Sequence, residues 1–322
     1  GDLAAARVRR RPRAGLRTRK AYRVTPVGEH LFAELLTDET ADDERTFASL
    51  ESGHAFAGVS RLEASLSYDE YDYDGSYPYT DGVLGDYAEG HWWTLTAQYV
   101  RPIGTRHRIV VGSELRDNTR RDQGGEMEEP ATTVFSDAHR NYLWAVFAQD
   151  ELRLGRHLRV SGGVRHDQYD TFGGTTNPRV AVVYTPGRTS AVKLLYGQAF
   201  RAPNAYELYY TDSGHSMKAP TYLNPEHIRS YEAVVEGGVV PGLLATVSVF
   251  HLDLDNLVAQ EMDPADSLLC FMNVNRARST GVEVEADFRL AQGLSARGSY
   301  THQRAPDPAT GHDHAAMGRV RT

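Results

Sequence analysis

The residues that could do chemistry are few and scattered. Glu283 and Glu285 stand two apart, so an extended backbone puts both carboxylates on one face. Such a pair works as acid and base only where a cleft drives the two carboxyls apart in strength. On an open strand it is a hydrated wall, and that is the expectation here. Glu70, Asp72, Asp74 and Asp81 crowd one segment and offer oxygen ligands to a cation. Their spacing is not that of a calcium loop, so solvated carboxylates are expected. His312 and His314 could touch one metal ion from the C-terminal tail. No Gly-x-Ser-x-Gly, P-loop or His-Glu-x-x-His phrase occurs. The chain is therefore read as a non-enzyme, with no cofactor and no metal site.

Binding is the better-supplied chemistry. Tyr77, Tyr79, Tyr209, Tyr210 and Tyr222 stand in polar, loop-like text. Each offers a flat apolar face with a hydroxyl at its tip, which grips an amphipathic ligand at small entropic cost. The same rings serve equally well as interface or loop packing. Arg201 could pair with an anionic group, or it could hold the chain in place.

Composition removes several classes of partner. Residues 1–20 carry Arg7, Arg9, Arg10, Arg11, Arg13, Arg17, Arg19 and Lys20, yet the net charge is -8. The body of the chain is acidic, so nucleic acid is not an expected partner. The single cysteine, Cys270, excludes an internal disulfide. No stretch of apolar residues is long enough for a membrane-spanning helix. No basic start followed by an apolar run occurs either, so an intact secretory precursor is not expected.

The elements that must position these residues read as strands. Leu62, Ala64, Leu66 and Tyr68 alternate with Arg61, Glu63, Ser65 and Ser67. Leu158, Val160 and Val164 alternate with Arg159, Ser161 and Arg165, and Val282, Val284 and Ala286 with Glu283, Glu285 and Asp287. Period 2 gives each strand one apolar and one polar face. About twelve such strands are expected between residues 44 and 303, each about 10–14 residues long, the length a tilted strand needs to cross a bilayer. Connections alternate between short ones, such as Pro102–Arg106 and Gly155–Arg156, and long ones, near 73–89, 118–140, 169–177, 200–227 and 256–278. Antiparallel order then sorts all tight turns to one edge and all large loops to the other. The expected fold is all-β: an antiparallel up-and-down transmembrane β-barrel, partial, with short periplasmic turns and long extracellular loops. A soluble all-β module, with its charged strand faces in bulk water, is the competing reading. Tyr68, Tyr71, Tyr73, Trp92, Trp93, Tyr142, Trp144, Tyr206, Tyr209 and Tyr210 cluster where strands meet loops, as interface girdles do. Residues 1–43 read as an Arg-rich, irregular or disordered segment, 44–303 as the barrel portion and 304–322 as a disordered tail.

An ordered set of phrases resembles the β-barrel of TonB-dependent outer-membrane receptors. These are Asp43-Glu-Arg-Thr-Phe47, Tyr68-Asp-Glu-Tyr-Asp-Tyr-Asp-Gly-Ser-Tyr-Pro-Tyr79, Trp144-Ala-Val-Phe-Ala-Gln-Asp-Glu-Leu152 and Gly163-Val-Arg-His-Asp167. They continue with Asn177-Pro-Arg-Val-Ala181, Tyr196-Gly-Gln-Ala-Phe-Arg-Ala-Pro203, Leu223-Asn-Pro-Glu226, Ser230-Tyr-Glu232, Phe271-Met-Asn273 and Gly281-Val-Glu-Val-Glu285. The most specific is Phe200-Arg201-Ala202-Pro203, which the resemblance marks as structural. It implies active uptake of a scarce ligand, such as a ferric siderophore, haem or cobalamin, across the outer membrane of a Gram-negative bacterium. Outer-membrane lipid and the small-molecule metal chelate or cobalamin-like ligand are the implied partners. TonB would be engaged only through a plug domain absent from this chain. Receptors of this kind close about 22 strands around their plug. With about twelve strands and no plug or coupling box before Glu44, the chain is expected to be the middle of a receptor. A passive porin-like channel and a non-functional receptor remnant are the alternatives.

Overall fold

The computed structural model describes residues 16–22, 39–56, 59–79, 82–128, 130–214, 216–274, 276–289, 293 and 295–306. Fifteen strands and one short helix follow one another. They begin with β1 (Leu16–Tyr22), β2 (Glu39–Ala55), β3 (Arg61–Tyr79), β4 (Gly82–Ile103), β5 (His107–Met127) and β6 (Thr132–Leu154). Next come β7 (Leu158–Tyr169), β8 (Gly173–Tyr184), β9 (Ser190–Arg201), α1 (Ala205–Tyr209), β10 (Glu226–Val240) and β11 (Leu243–Asp255). The chain continues through β12 (Val258–Met262), β13 (Leu269–Asn273), β14 (Ala277–Arg289) and β15 (Ser295–Arg304). Thirteen of the strands form one sheet in the order β1 to β11, then β14 and β15, each antiparallel to its sequence neighbour. The remaining pair, β12 and β13, is a separate hairpin between β11 and β14.

The alternation sorts the two faces as expected. Leu66, Leu95, Leu115, Val146, Val164, Val180, Val247 and Val284 are all exposed, on one face of the sheet. In water such a surface would be an aggregation hazard, while in a bilayer it is the lipid face. The opposite face carries paired charges: Arg45 to Asp69 at 2.6 Å, Arg165 to Asp167 at 2.8 Å and Lys193 to Glu236 at 2.8 Å. Glu283 and Glu285 lie on this inner wall, the latter facing Arg297 at 3.4 Å.

An aromatic belt closes the outer face on its extracellular side. Tyr68 packs against Trp93 at 4.8 Å, Trp144 against His166 at 5.7 Å and Tyr196 against Tyr231 at 5.1 Å. The expected girdle needs one correction. Successive strand residues point to opposite faces, so Trp92 lies inward where Trp93 lies outward, and Tyr71 and Tyr73 share the inner face with Asp69. The tight turns sit at the other end, where Gly104 and Gly155 take φ of 57° and 73° at positions a β-carbon would strain.

Three further corrections concern segments read as irregular. Leu16–Tyr22 pairs with β2, and β2 itself starts at Glu39, ahead of the expected boundary at 44. The backbone groups of β2 need a partner on that side, and β1 supplies it. Most of 73–89 and 118–140 is not loop but continued ladder, so β3 to β6 rise well past the belt as long hairpins. Within 256–278 the β12–β13 hairpin forms a cap, with Cys270, Met217 and Leu223 buried at 5 %, 4 % and 1 % exposure. Among the described residues the sheet stays open, with β1 and β15 at its edges. Lipid does not tolerate open edges, so closure requires further strands.

Candidate ligand-binding cavity on the inner wall

A cavity of about 610 Å³ lies on the inner face, above the belt, between β3–β6 and the segment that follows β9. Cross-strand register builds its floor: Trp92 stands opposite Asn118, and Arg116 stands beside Leu143. A β-bulge between Asn118 and Arg121 adds one residue to β5 and brings Arg121 back to the same face. Asn118 donates to Asn141 at 2.8 Å, which fixes two amides at the bottom of the site.

Aromatic faces and guanidinium groups dominate the lining. Arg116 lies 4.8 Å over the Trp92 ring and Arg45 lies 5.5 Å from it. Arg121 lies 5.9 Å from the centre of Tyr209, whose ring stacks on His139 at 3.6 Å. Burial holds the Arg121 guanidinium below its ordinary value. Tyr71 donates to Asp43 at 2.5 Å, and Tyr73 shares a short hydrogen bond with Tyr77. Burial first, and then those hydrogen bonds, raise both the Tyr71 and Tyr73 phenols. Asp86, above them on β4, is raised to about 6 by burial.

The roof is α1, and sequence explains why so short a helix forms. Five residues cannot hold a helix alone. Asn204 caps it: its side chain accepts from the Glu207 amide, and the Glu207 carboxylate accepts from the Asn204 amide, both at 2.9 Å. Arg201 then locks the cap. Its Nη1 reaches Glu207 at 2.9 Å, and its Nε reaches Glu226 at 2.6 Å. These two carboxylates raise Arg201 well above its ordinary value. The other oxygen of Glu226 accepts from the Val258 amide at 2.8 Å, so one arginine ties β9, α1, β10 and β12 together. Asn273 adds a second knot, accepting from the Asn224 amide at 2.7 Å and donating to the carbonyls of Asn224 and Asn256, both at 2.9 Å.

The residues singled out from sequence are thus placed as follows. Tyr210, Ala202 and Pro203 line the cavity, with Tyr206, which had been read only as an interface aromatic. Tyr209 stands beside it under Arg121, and Tyr77 sits behind Tyr73. Tyr79 ends β3 opposite Gly82. Tyr222 is exposed and Phe200 packs edge-on to Tyr169. Arg201 is held by two carboxylates rather than standing ready for a ligand. Of the carboxylate cluster, Glu70 and Asp72 meet His91 from the adjacent strand, with ligand atoms within 4.8 Å of one another. Asp74 is not in that group, and Asp81, His312 and His314 lie outside the described residues. Arg116 and Arg121 escaped the sequence reading, and Trp92 was read only as an interface aromatic, because only strand register brings the three together.

A lipid-facing meander with a belt of aromatics and a roofed cavity on its polar side defines an outer-membrane β-barrel wall. The comparisons give the family. The model of the TonB dependent receptor-like β-barrel matches residues 7–317, and the chain belongs to that family. The ferric enterobactin receptor of Pseudomonas aeruginosa is 22 % identical over 240 residues, covering 62 % of this chain and 31 % of that protein. The vitamin B12 transporter BtuB of Photobacterium profundum is 29 % identical over 135 residues, 40 % of this chain and 21 % of that protein. Among solved structures, the ferripyoverdine receptor of the outer membrane of Pseudomonas aeruginosa aligns with a TM-score of 0.67 at 16 % identity, over 85 % of this chain and 42 % of that one. The copper transporter OprC aligns with the same TM-score, 0.67, at 14 % identity, over 86 % and 48 %. The chain therefore spans about a third or less of the length of the ferric enterobactin receptor and the vitamin B12 transporter it resembles. Its place is the outer membrane of a Gram-negative bacterium.

Proposed function

We propose that this chain is the ligand-contacting part of a receptor barrel that takes up a scarce small molecule, a metal chelate or a cobalamin-like compound, across the outer membrane. The cavity roofed by α1 carries this reading: it stands above the aromatic belt, on the polar face, where a solute arriving from outside meets the barrel first. TonB would drive the transport through a plug seated in the lumen. A passive channel needs no capped helix tied down over its inner wall by an arginine and two carboxylates. The extracellular cap and the inner wall are the proposed ligand contacts, through Tyr206, Tyr209 and Tyr210. Tyr77, Tyr79 and Tyr222 are proposed to serve the same rim, and Phe200-Arg201-Ala202-Pro203 its architecture.

The test is uptake of radioactive iron supplied as a panel of ferric chelates to cells carrying, in their outer membrane, a plug-containing receptor barrel that includes this chain. Saturable uptake that collapses with the proton gradient, and that is lost when residues 204–210 are replaced by a Gly/Ser linker, is the expected result. Uptake that is unsaturable and insensitive to the gradient would make the protein a passive pore.

A further inference from the structure

The inner wall is rich in arginine, and most of that charge is spent locally. Arg45 is paired with Asp69 at 2.6 Å, Arg165 with Asp167 at 2.8 Å and Glu114 at 3.4 Å, and Arg201 with Glu207 and Glu226. Arg120, at the rim, pairs with Asp122 at 2.5 Å and with Glu89. Arg116 and Arg121 are different. Neither has an ion pair among the described residues, and the Nε of Arg116 is buried without a hydrogen-bond partner. Both lie against ring faces rather than carboxylates, on Trp92 and Tyr209. A guanidinium stacked on a ring keeps its in-plane N–H donors free for another molecule.

The acids that could cancel them are engaged or weak. Asp69 and Glu114 belong to Arg45 and Arg165. Asp170 accepts from the Tyr142 amide at 3.1 Å. Among the described residues Asp86 has no basic partner on the cavity wall, and burial makes it a weaker acid than a free aspartate, raised to about 6. Leaving two partly desolvated cations without a directly paired carboxylate is costly, and a ligand that supplies one recovers that cost on binding.

We propose that this cavity selects a ligand of net negative charge built on planar rings, with Arg116 and Arg121 reading the charge and the Trp92 and Tyr209 side of the wall reading the rings. The inference deepens the proposed function and rests on the cavity being the ligand site. It excludes neutral and cationic chelates as the preferred cargo.

Equilibrium dialysis of the full chain in detergent micelles tests it, with two iron probes of similar size: anionic ferric catecholate and neutral ferric acetohydroxamate. Catecholate is expected to bind at least about tenfold more tightly. Arg116→Gln and Arg121→Gln should each weaken catecholate by about tenfold, the loss of one charge-assisted contact, and leave acetohydroxamate unchanged. R116K and R121K, which keep the charge but lose the fork, should recover part of the loss. Circular dichroism of the strands checks each variant, and where a Gln variant misfolds its Lys counterpart decides. Equal binding of both probes, or Gln variants that bind catecholate like the parent, would overturn the charge reading while leaving the cavity as a ligand site. Binding of neither probe would bring down the cavity reading with it.

Discussion

Arg201→Ala gives the sharpest prediction about the roof of the cavity. The substitution leaves Glu207 and Glu226, with side chains 11 % and 18 % exposed, facing each other without their shared cation. A hydrogen bond to a charged group contributes about 1.5–3 kcal/mol when well buried. The Arg201 side chain is 43 % exposed, so solvent screening brings the clamp down to about 1–2 kcal/mol in all. That is a factor of about 5–30 in the opening of α1. The assay is amide exchange at Leu208 and Tyr210, which donate to Asn204 and Tyr206 at 3.1 Å each. The reference amides are Leu195 and Glu232, which face each other deep in the β9–β10 ladder. Faster exchange confined to α1, with R201K intermediate, is the expected outcome. Unchanged α1 exchange, or equal acceleration in the ladder, would refute the idea that Arg201 holds the roof independently of the wall.

Three further outcomes follow from the same geometry. Asp86 is raised to about 6 by burial, so it keeps its proton to higher pH than a free aspartate, and the cavity loses a negative charge as pH falls through that value. Binding of naphthalenetrisulfonate, an anion that does not titrate here, should tighten as pH falls from about 7.5 to 5, and D86N should hold the tight limit throughout; fluorescence titration reads both. Gly281→Ala puts a β-carbon 2.4 Å from the Phe250 ring and 2.8 Å from the His302 carbonyl, so it should cost about 1–3 kcal/mol in urea unfolding from micelles. Adding Phe250→Leu should relieve only the ring's share of that cost. Val247→Arg, on the lipid face four residues below His251, should cost about 2–4 kcal/mol of insertion, whereas its inward neighbour Ser248→Arg should cost far less.

The strands and their faces were legible because alternation is local. Leu62 to Tyr68 sets its own parity without knowing its neighbours, and each tight turn announces itself by Gly or Pro. Where both faces meet water the rule loses its signal. Tyr71-Asp72-Tyr73-Asp74 alternates two polar types, so the strand reads as ending at residue 72 although the ladder runs on. The capped helix was readable in principle, since Asn204 and Glu207 have capping-box spacing, but Pro203 and the tyrosines around it suggested a long loop. Glu226 and Asn273 both stood in phrases that mark the family, yet their partners, Arg201 and Asn224, are 25 and 49 residues away. Trp92 paired with Trp93 in the eye and was counted with the belt, when adjacency on a strand forbids it. Arg116 and Arg121 lie five apart, which on an unbroken strand puts them on opposite faces, and only the bulge reverses that.

The hairpins that rise past the belt also bear on how fast a ligand is captured. From Trp93 to Gly82 the ladder runs unbroken against β3, a reach of roughly 36 Å measured along the strand. A floppy loop would have to be frozen around each arriving molecule, and the lost freedom would weaken every encounter. A hydrogen-bonded ribbon has already given up that freedom on folding. On the proposed reading, encounter is then a matter of diffusion into a standing vestibule, and the dwell time is set by the roof, the five-residue helix pinned by Arg201.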